Sequence, residues 1–256
     1  MELGEAVAVD VSNTNHDKDC YFCNAKDQPV ENENDLTDDP DDDAEGYGSF
    51  KNDASKLGKA LGGDPGTRSI KVDDSAYDVS TAAHHLIPGN ASLKKSSLFK
   101  SNEYLWVDKK AKGNIGYNVN SSANGVWLPG NYAIRPWSPK ADDFKKDYSF
   151  RAISKWGAQF HDAHEEYSSF VLQVLEEVFE KLELGSTVWC EEGKSEKDKS
   201  PSERKPLYAI VARLNTISGR MRRMVVFPTR SWKKNVYTST RTTLFMAESK
   251  HRSRAS

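Results

Sequence analysis

Ala83-His84-His85-Leu86-Ile87-Pro88-Gly89 is the stretch whose reading decides the fold. Residues 76–83 before it read as a short strand, and Pro88 and Gly89 end the run. Successive side chains of an extended strand project to opposite sides. His84 and His85 can therefore hold different tasks, one binding an ion while the other reaches a substrate. The chain has 6 histidines, and two tight pairs, His84/His85 and His161/His164, account for most of them. Neutral imidazole is the commonest metal ligand, so the two pairs together point to a metal site. Taken alone, His164 on an apolar face reads as a satisfied core residue.

Outward from the histidine pair, residues 93–105 have helical character. Gly116-Tyr117-Asn118-Val119-Asn120 and Gly125-Val126-Trp127-Leu128-Pro129-Gly130 read as short extended pieces around a tight turn at Asn124-Gly125. Residues 159–184 form the clearest helix. Phe160, Tyr167, Val171, Val174, Val178 and Phe179 recur at spacings of three, four and seven, and Glu165, Glu166, Glu176, Glu177 and Glu180 populate the other faces. This helix puts His164 in line with Phe160, Tyr167 and Val171, with His161 close to the same side. Phosphodiester hydrolysis needs this division of tasks. A metal neutralises charge developing on the phosphate and leaving oxygen, and a base near neutral pKa takes the proton of the attacking water.

Ala83-His84-His85-Leu86-Ile87-Pro88, then Asn120-Ser121-Ser122-Ala123-Asn124-Gly125-Val126-Trp127-Leu128-Pro129, then His161-x-x-His164-x-x-Tyr167 resembles the AHH nuclease family of the HNH/endonuclease VII superfamily. The resemblance runs over residues 77–182 and rests on the three pieces in this order. It implies an α+β fold with a ββα-metal (HNH-like) core over residues 49–190. It implies His84 as a metal ligand, His85 as general base, Asn124 as the central asparagine bracing base and metal loop, and His164 as the helical ligand. His161 is then a second ligand or a phosphate contact. Relatives often carry Asp where this chain has Asn118, so an acidic role there is lost. The Asn124-Gly125 pair also reads as plain turn chemistry, and the two readings are compatible. The implied cofactor is one divalent ion, Mg2+ first, with Zn2+, Mn2+ or Ni2+ as alternatives. Family members are typically toxic modules of bacterial polymorphic toxins and type VI secretion effectors. The resemblance thus implies DNA or RNA as substrate, a cognate immunity protein and a secretion-system delivery component as partners, and action in the cytoplasm of a target cell.

Charge is distributed unevenly. Residues 1–50 carry 15 acidic against 2 basic side chains, and residues 213–256 carry 11 basic against 1 acidic, within a chain of net charge -2. An acidic head and a basic tail suggest a solvated or masking end and a polyanion-binding end, or two unrelated surface biases. Residues 1–48, with the run Asp38-Asp39-Pro40-Asp41-Asp42-Asp43, are too charged and too poor in apolar residues to support a core and read as disordered. Within them, His16, Cys20 and Cys23 have the spacing of half a structural zinc site, for which Cys190 could supply a ligand only through folding; free thiols on a short turn are the alternative. Three cysteines do not make a secreted disulfide framework. The opening residues lack a signal peptide, and no apolar run is long enough to span a membrane, so the expectation is synthesis in the cytoplasm, no membrane partner and export without a cleaved signal.

Residues 191–205 read as a charged loop, and residues 206–256 as a basic, β-rich extension. In it, residues 207–214 and 220–227 flank Thr216-Ile217-Ser218-Gly219 as a β-hairpin, residues 236–245 form a third β-prone run, and a frayed tail follows from Ser249. Arg220, Arg222, Arg223, Lys233 and Lys234 are candidate phosphate contacts, as are Lys94 and Lys95 beside the histidine pair, where a solvated face is the alternative. Trp232 or Tyr237 either stacks on a base or packs in the core. The sequence thus favours a sequence-tolerant, metal-dependent DNA endonuclease acting as an antibacterial toxin. An RNase on the same core, or a non-catalytic nucleic-acid-binding module with a structural ion, remains open.

Overall fold

The computed structural model describes residues 52–100, 117–130, 134, 139–162, 165–185, 190–200 and 209–255. In chain order the elements are α1 (Ala54–Ala60), β1 (Arg68–Val72), β2 (Ser75–Val79), β3 (Thr81–His85), α2 (Ser97–Lys100), β4 (Gly125–Pro129), α3 (Asp142–Trp156), α4 (Glu165–Leu184), α5 (Glu191–Asp198), α6 (Ala209–Val225) and α7 (Thr240–Ala255). The expected α+β class holds. None of these helices is long and apolar enough to cross a membrane. The acidic residues 1–48, with His16, Cys20 and Cys23, lie outside the described residues, as does His164.

The single strand expected over residues 76–83 is two strands in two sheets. β1 and β2 pair antiparallel, from Arg68 opposite Val79 to Val72 opposite Ser75. Asp73 and Asp74, at φ 47° and 62°, make the turn between them. Aspartate tolerates this left-handed region because its short polar side chain can bond locally. The chain then changes sheet at Ser80, whose hydroxyl donates to the Gly130 carbonyl at 3.1 Å, while Gly130 N–H donates back to the Ser80 carbonyl at 3.0 Å. β3 pairs antiparallel with β4, with His84 opposite Val126 and His85 opposite Gly125. This hairpin and α4 make the ββα unit.

The tight turn expected at Asn124-Gly125 is a 3-10 turn that precedes the glycine. Asn124 closes a 3-10 turn over Ser122–Asn124, and Gly125 is extended at φ -124° and ψ 156°. Any residue can adopt that backbone, so glycine is needed for space. A Cβ at Gly125 would stand 2.6 Å from Leu57 Cδ1 and 3.0 Å from Leu61 Cδ1. α1 therefore lies directly on the end of the hairpin. Asp53 holds its first turn, accepting from the Ser55 and Lys56 N–H groups.

Residues 159–162 are not the start of a helix, and α4 begins at Glu165. Their amides are engaged elsewhere: Gln159 N–H donates to the Val225 carbonyl, His161 N–H to Pro129 and Asp162 N–H to Thr238. These long-range bonds hold the segment extended and bring His161 to the end of β4. From Tyr167 on, the expected stripe is real, with Tyr167, Val171, Val174 and Val178 buried.

The C-terminal hairpin expected over residues 207–227 is the single helix α6. Ile210, Leu214, Ile217, Met221 and Val225 recur every three or four residues and are all fully buried in the main core with α4. That stripe outweighs the β-propensity of the Ile and Val residues and the breaker at Gly219. The β-prone run at residues 236–245 is also not a strand. A 3-10 turn at Lys234–Val236 leads into α7, where the Ser239 hydroxyl accepts from Arg241 N–H at 3.0 Å as a cap. α7 runs to Ala255, so the stretch from Ser249 is helical. Within the expected charged loop, Glu191–Asp198 is the helix α5, with Cys190 Sγ accepting from Gly193 N–H at 3.2 Å. A second core joins Ile70, Val72 and Val79 of the first hairpin to Tyr148, Ala152 and Ile153 of α3 and to Trp232.

Two glycines should respond oppositely to alanine. Gly125→Ala forces a methyl into Leu57 and should destabilise by about 1–3 kcal/mol. Gly219→Ala places a methyl where nothing lies within 4 Å on a helix and should stabilise by about 0.5–1 kcal/mol. Urea unfolding of both variants checks the pair of signs.

Candidate active site

The C-terminal end of β3 presents two imidazoles, both nearly buried: His84 is 2% and His85 7% exposed. The two rings meet different partners. The ring of His84 packs edge-on against Tyr167 of α4, with centroids 4.9 Å apart, and against His161 at 5.2 Å. His85 Nε2 lies 2.8 Å from Asn120 Oδ1. Asn120 Oδ1 also accepts from Asp53 N–H at 2.9 Å, and Asn120 N–H donates to Asn118 Oδ1 at 2.6 Å. Asn118 thus braces the Asn120 backbone as an acceptor, which a carboxylate at that position would also be able to do.

The backbone after the histidine pair is clamped by side chains. Asn124, fully buried, accepts from Ile87 N–H at 2.7 Å and from the Ser218 hydroxyl at 2.8 Å. Its Nδ2 donates to the Ile87 carbonyl at 3.0 Å and to the Val119 carbonyl at 2.9 Å. The Tyr167 hydroxyl donates to the Leu86 carbonyl at 2.7 Å, and Leu86 N–H to the Asn124 carbonyl at 2.9 Å. Asn124 therefore holds the loop and the strand exit, while the direct side-chain partner of His85 is Asn120.

Burial raises the Tyr167 phenol far above its ordinary pKa, and neighbouring Tyr117 adds to the rise. Burial also raises Tyr117, with the nearby Ser218 hydroxyl opposing the rise. Both phenols stay neutral; Tyr167 serves as a donor, and both rings pack in the main core.

His84 and His161 can offer two nitrogen ligands to a divalent cation. Their ring centroids are 5.2 Å apart, and neutral imidazole nitrogens suit a divalent ion. Gly130 permits the approach, because a Cβ there would stand 3.1 Å from the His161 carbonyl. Among the described residues, no group of three or more His, Cys, Asp or Glu side chains is arranged to hold an ion. Cys190 is buried in the main core.

The candidate nucleic-acid contacts separate into two kinds. Lys94 and Lys95 are exposed on a 3-10 turn shortly after the histidine pair, and Arg223, Lys233 and Lys234 are exposed at and beyond the end of α6. Arg220 is half-buried. Arg222 has another engagement. Its guanidinium donates to the carbonyls of Ser122 and Gly125, both at 2.7 Å, and so pins the turn that carries Asn124. Trp232 packs at 4% exposure, with Nε1 donating to the Val226 carbonyl, and Tyr237 is 9% exposed, so neither presents a face for base stacking.

Sequence reasoning missed Asn120, Tyr167, Ser218 and the Asp53 amide as parts of the site. The run Asn118-x-Asn120-x-x-x-Asn124 was the available signal, since amides concentrated in one loop imply backbone bracing. Ser218 carried no such signal.

The model of a nuclease family of the HNH/ENDO VII superfamily with conserved AHH matches residues 66–204, more than half of the chain. No curated protein and no solved structure matches. The matched segment holds both histidine pairs and β4. It omits α1 and α6, which supply Asp53, Ser218 and Arg222 to the site.

Asn124→Ala should destabilise by on the order of 3 kcal/mol, because it strands several buried backbone groups at once. Ser218→Ala should cost about 1 kcal/mol, since Asn124 keeps its other three bonds. Equal losses for the two variants in chemical denaturation would show that the amide is not the centre of the network.

Proposed function

Because the chain belongs to the AHH nuclease family of the HNH/endonuclease VII superfamily, we propose that it is a metal-dependent endonuclease that hydrolyses DNA without strong sequence preference. The support for this reading is the division of labour at the end of β3. His85 is held by a neutral amide, while His84 turns to a second imidazole, His161. One strand end thus offers a proton acceptor and a nitrogen-ligand pair side by side.

In this mechanism His85 takes the proton of the attacking water as general base, a role suited to an imidazole near neutral pH. His84 and His161 would hold the divalent ion, and the family resemblance adds His164; imidazole nitrogens suit Zn2+ or Ni2+ better than Mg2+, which would need oxygen ligands from water or substrate. When bound, such an ion supplies positive charge to the phosphate oxygens and the leaving group. Tyr167 and Asn124 keep the strand exit rigid, so that the base does not drift from its position. Lys94, Lys95, Arg223, Lys233 and Lys234 supply salt-sensitive contacts to the phosphate backbone, which carry no sequence preference.

The reading extends to an antibacterial toxin that acts in the cytoplasm of a target cell, with an immunity protein in the producer and a secretion component for delivery. The resemblance carries that extension. The uneven charge of the chain adds a further element: residues 1–48 can compete with nucleic acid for the basic surface at residues 220–234 as a polyanion mimic, and the competition weakens with salt.

Incubation of the purified protein with supercoiled plasmid and with total RNA, with and without EDTA, tests the proposal. Plasmid should be nicked and linearised, RNA should persist, and EDTA should stop cleavage. His85→Ala should lower the rate by about 10²-fold or more while calorimetry still detects metal binding. His84→Ala should lose both. Degradation of RNA with intact plasmid would turn the reading to an RNase, and bound metal without cleavage of either substrate would leave a structural-ion module.

A further inference from the structure

Asn120 touches the proposed base, and its hydrogen bonds determine more than the position of that ring. The atom of Asn120 nearest His85 also lies 2.9 Å from the backbone N–H of Asp53. A backbone N–H can only donate, so that atom is the carbonyl oxygen and not the amide nitrogen. The oxygen has two lone pairs and no hydrogen. One lone pair meets Asp53 N–H, and the other faces His85 Nε2 at 2.8 Å. The proton in the second bond must therefore sit on His85 Nε2. A neutral imidazole carries one N–H and one lone pair, so the lone pair is at Nδ1.

We propose that Asn120 is a positioning residue that fixes His85 in the Nε2–H tautomer and so makes Nδ1 the atom that accepts the proton of water. The last step rests on the reading of His85 as general base, whereas the tautomer does not. When Nδ1 takes a proton, Nε2 keeps its own, and the bond to Asn120 persists through the reaction. The ring needs neither a flip nor a change of partner between its two charge states. Asn120 is held for this task. It is 4% exposed, its own N–H is tied to Asn118 Oδ1, and Asp53 N–H orients its side chain from α1. The amide brings no charge, so it orients the ring without adding the electrostatic pull of a carboxylate.

Long-range nitrogen–proton correlation spectra of the full chain, labelled with 15N-histidine, read the tautomer directly. They are recorded at alkaline pH, and the His85 signals are identified by their loss in His85→Gln. The wild-type protein should show His85 protonated at Nε2 and bare at Nδ1. Asn120→Ala should relax the single tautomer to a mixture in which Nδ1–H also appears, and Asn120→Asp should retain Nε2–H alone, because a carboxylate oxygen can accept from both the ring and Asp53 N–H. The plasmid-cleavage kcat should fall about 10²-fold in Asn120→Ala, with little change in KM, and recover in large part in Asn120→Asp. An Nδ1–H tautomer in the wild-type protein, or an unchanged Nε2–H tautomer in a folded Asn120→Ala, overturns the proposal. Should Asn120→Ala fail to fold, the wild-type and Asn120→Asp spectra decide alone. The expected tautomers together with unaltered cleavage would support Asn120 as the tautomer-setting residue and refute His85 as the base.

Discussion

The site depends on one buried primary amide. The Asn124 side chain has two donors and two acceptor lone pairs, and all four are used inside the protein. Its partners come from three places in the chain: Ile87 just beyond the histidine pair, Val119 in the loop, and Ser218 on α6. A buried polar group left unpaired costs about 1–3 kcal/mol, so each partner adds to the stability of the arrangement. The strand exit, the loop and the helix are therefore held in register together. Arg222 strengthens the same point by holding the carbonyls on both sides of Asn124.

This constraint explains why the working unit is larger than the stretch that matches the nuclease family. α1 precedes that stretch and α6 follows it. α1 gives the Asp53 amide to Asn120 and packs Leu57 and Leu61 against Gly125. α6 gives Ser218 and Arg222 to the turn and buries its apolar stripe in the core shared with α4. The histidine strand is thus clamped from both flanks, each through polar contacts backed by apolar packing.

The groups that hold the end of β3 are mostly uncharged. The two phenols nearest the strand exit are kept neutral by burial, and the groups that position His85 and Ile87 are uncharged amides. Exposed positive charge lies on Lys94, Lys95, Arg223, Lys233 and Lys234, at the 3-10 turn and at and beyond the end of α6.

Local pattern determined several features of this protein. The histidine pair lies on a strand with its rings facing different partners, because alternation is a property of any extended chain. The stripe from Tyr167 to Val178 is helical and buried because its spacing matches the helical turn. The three motif pieces in order were enough to place the chain in its family. Tertiary structure decided the rest. Residues 209–225 contain β-prone Ile and Val and a glycine, and only the core beside α4 makes the helical stripe the better use of them. His161 leaves the expected helix because its amide finds Pro129. The roles of Asn120 and Asn124 could not be separated by inspection, since each lies in the same loop and both are braced. Asn120 meets a partner 35 residues away and Asn124 one 94 residues away. Periodicity is encoded between near neighbours in the chain, whereas the choice of a distant hydrogen-bond partner exists only after the chain has folded.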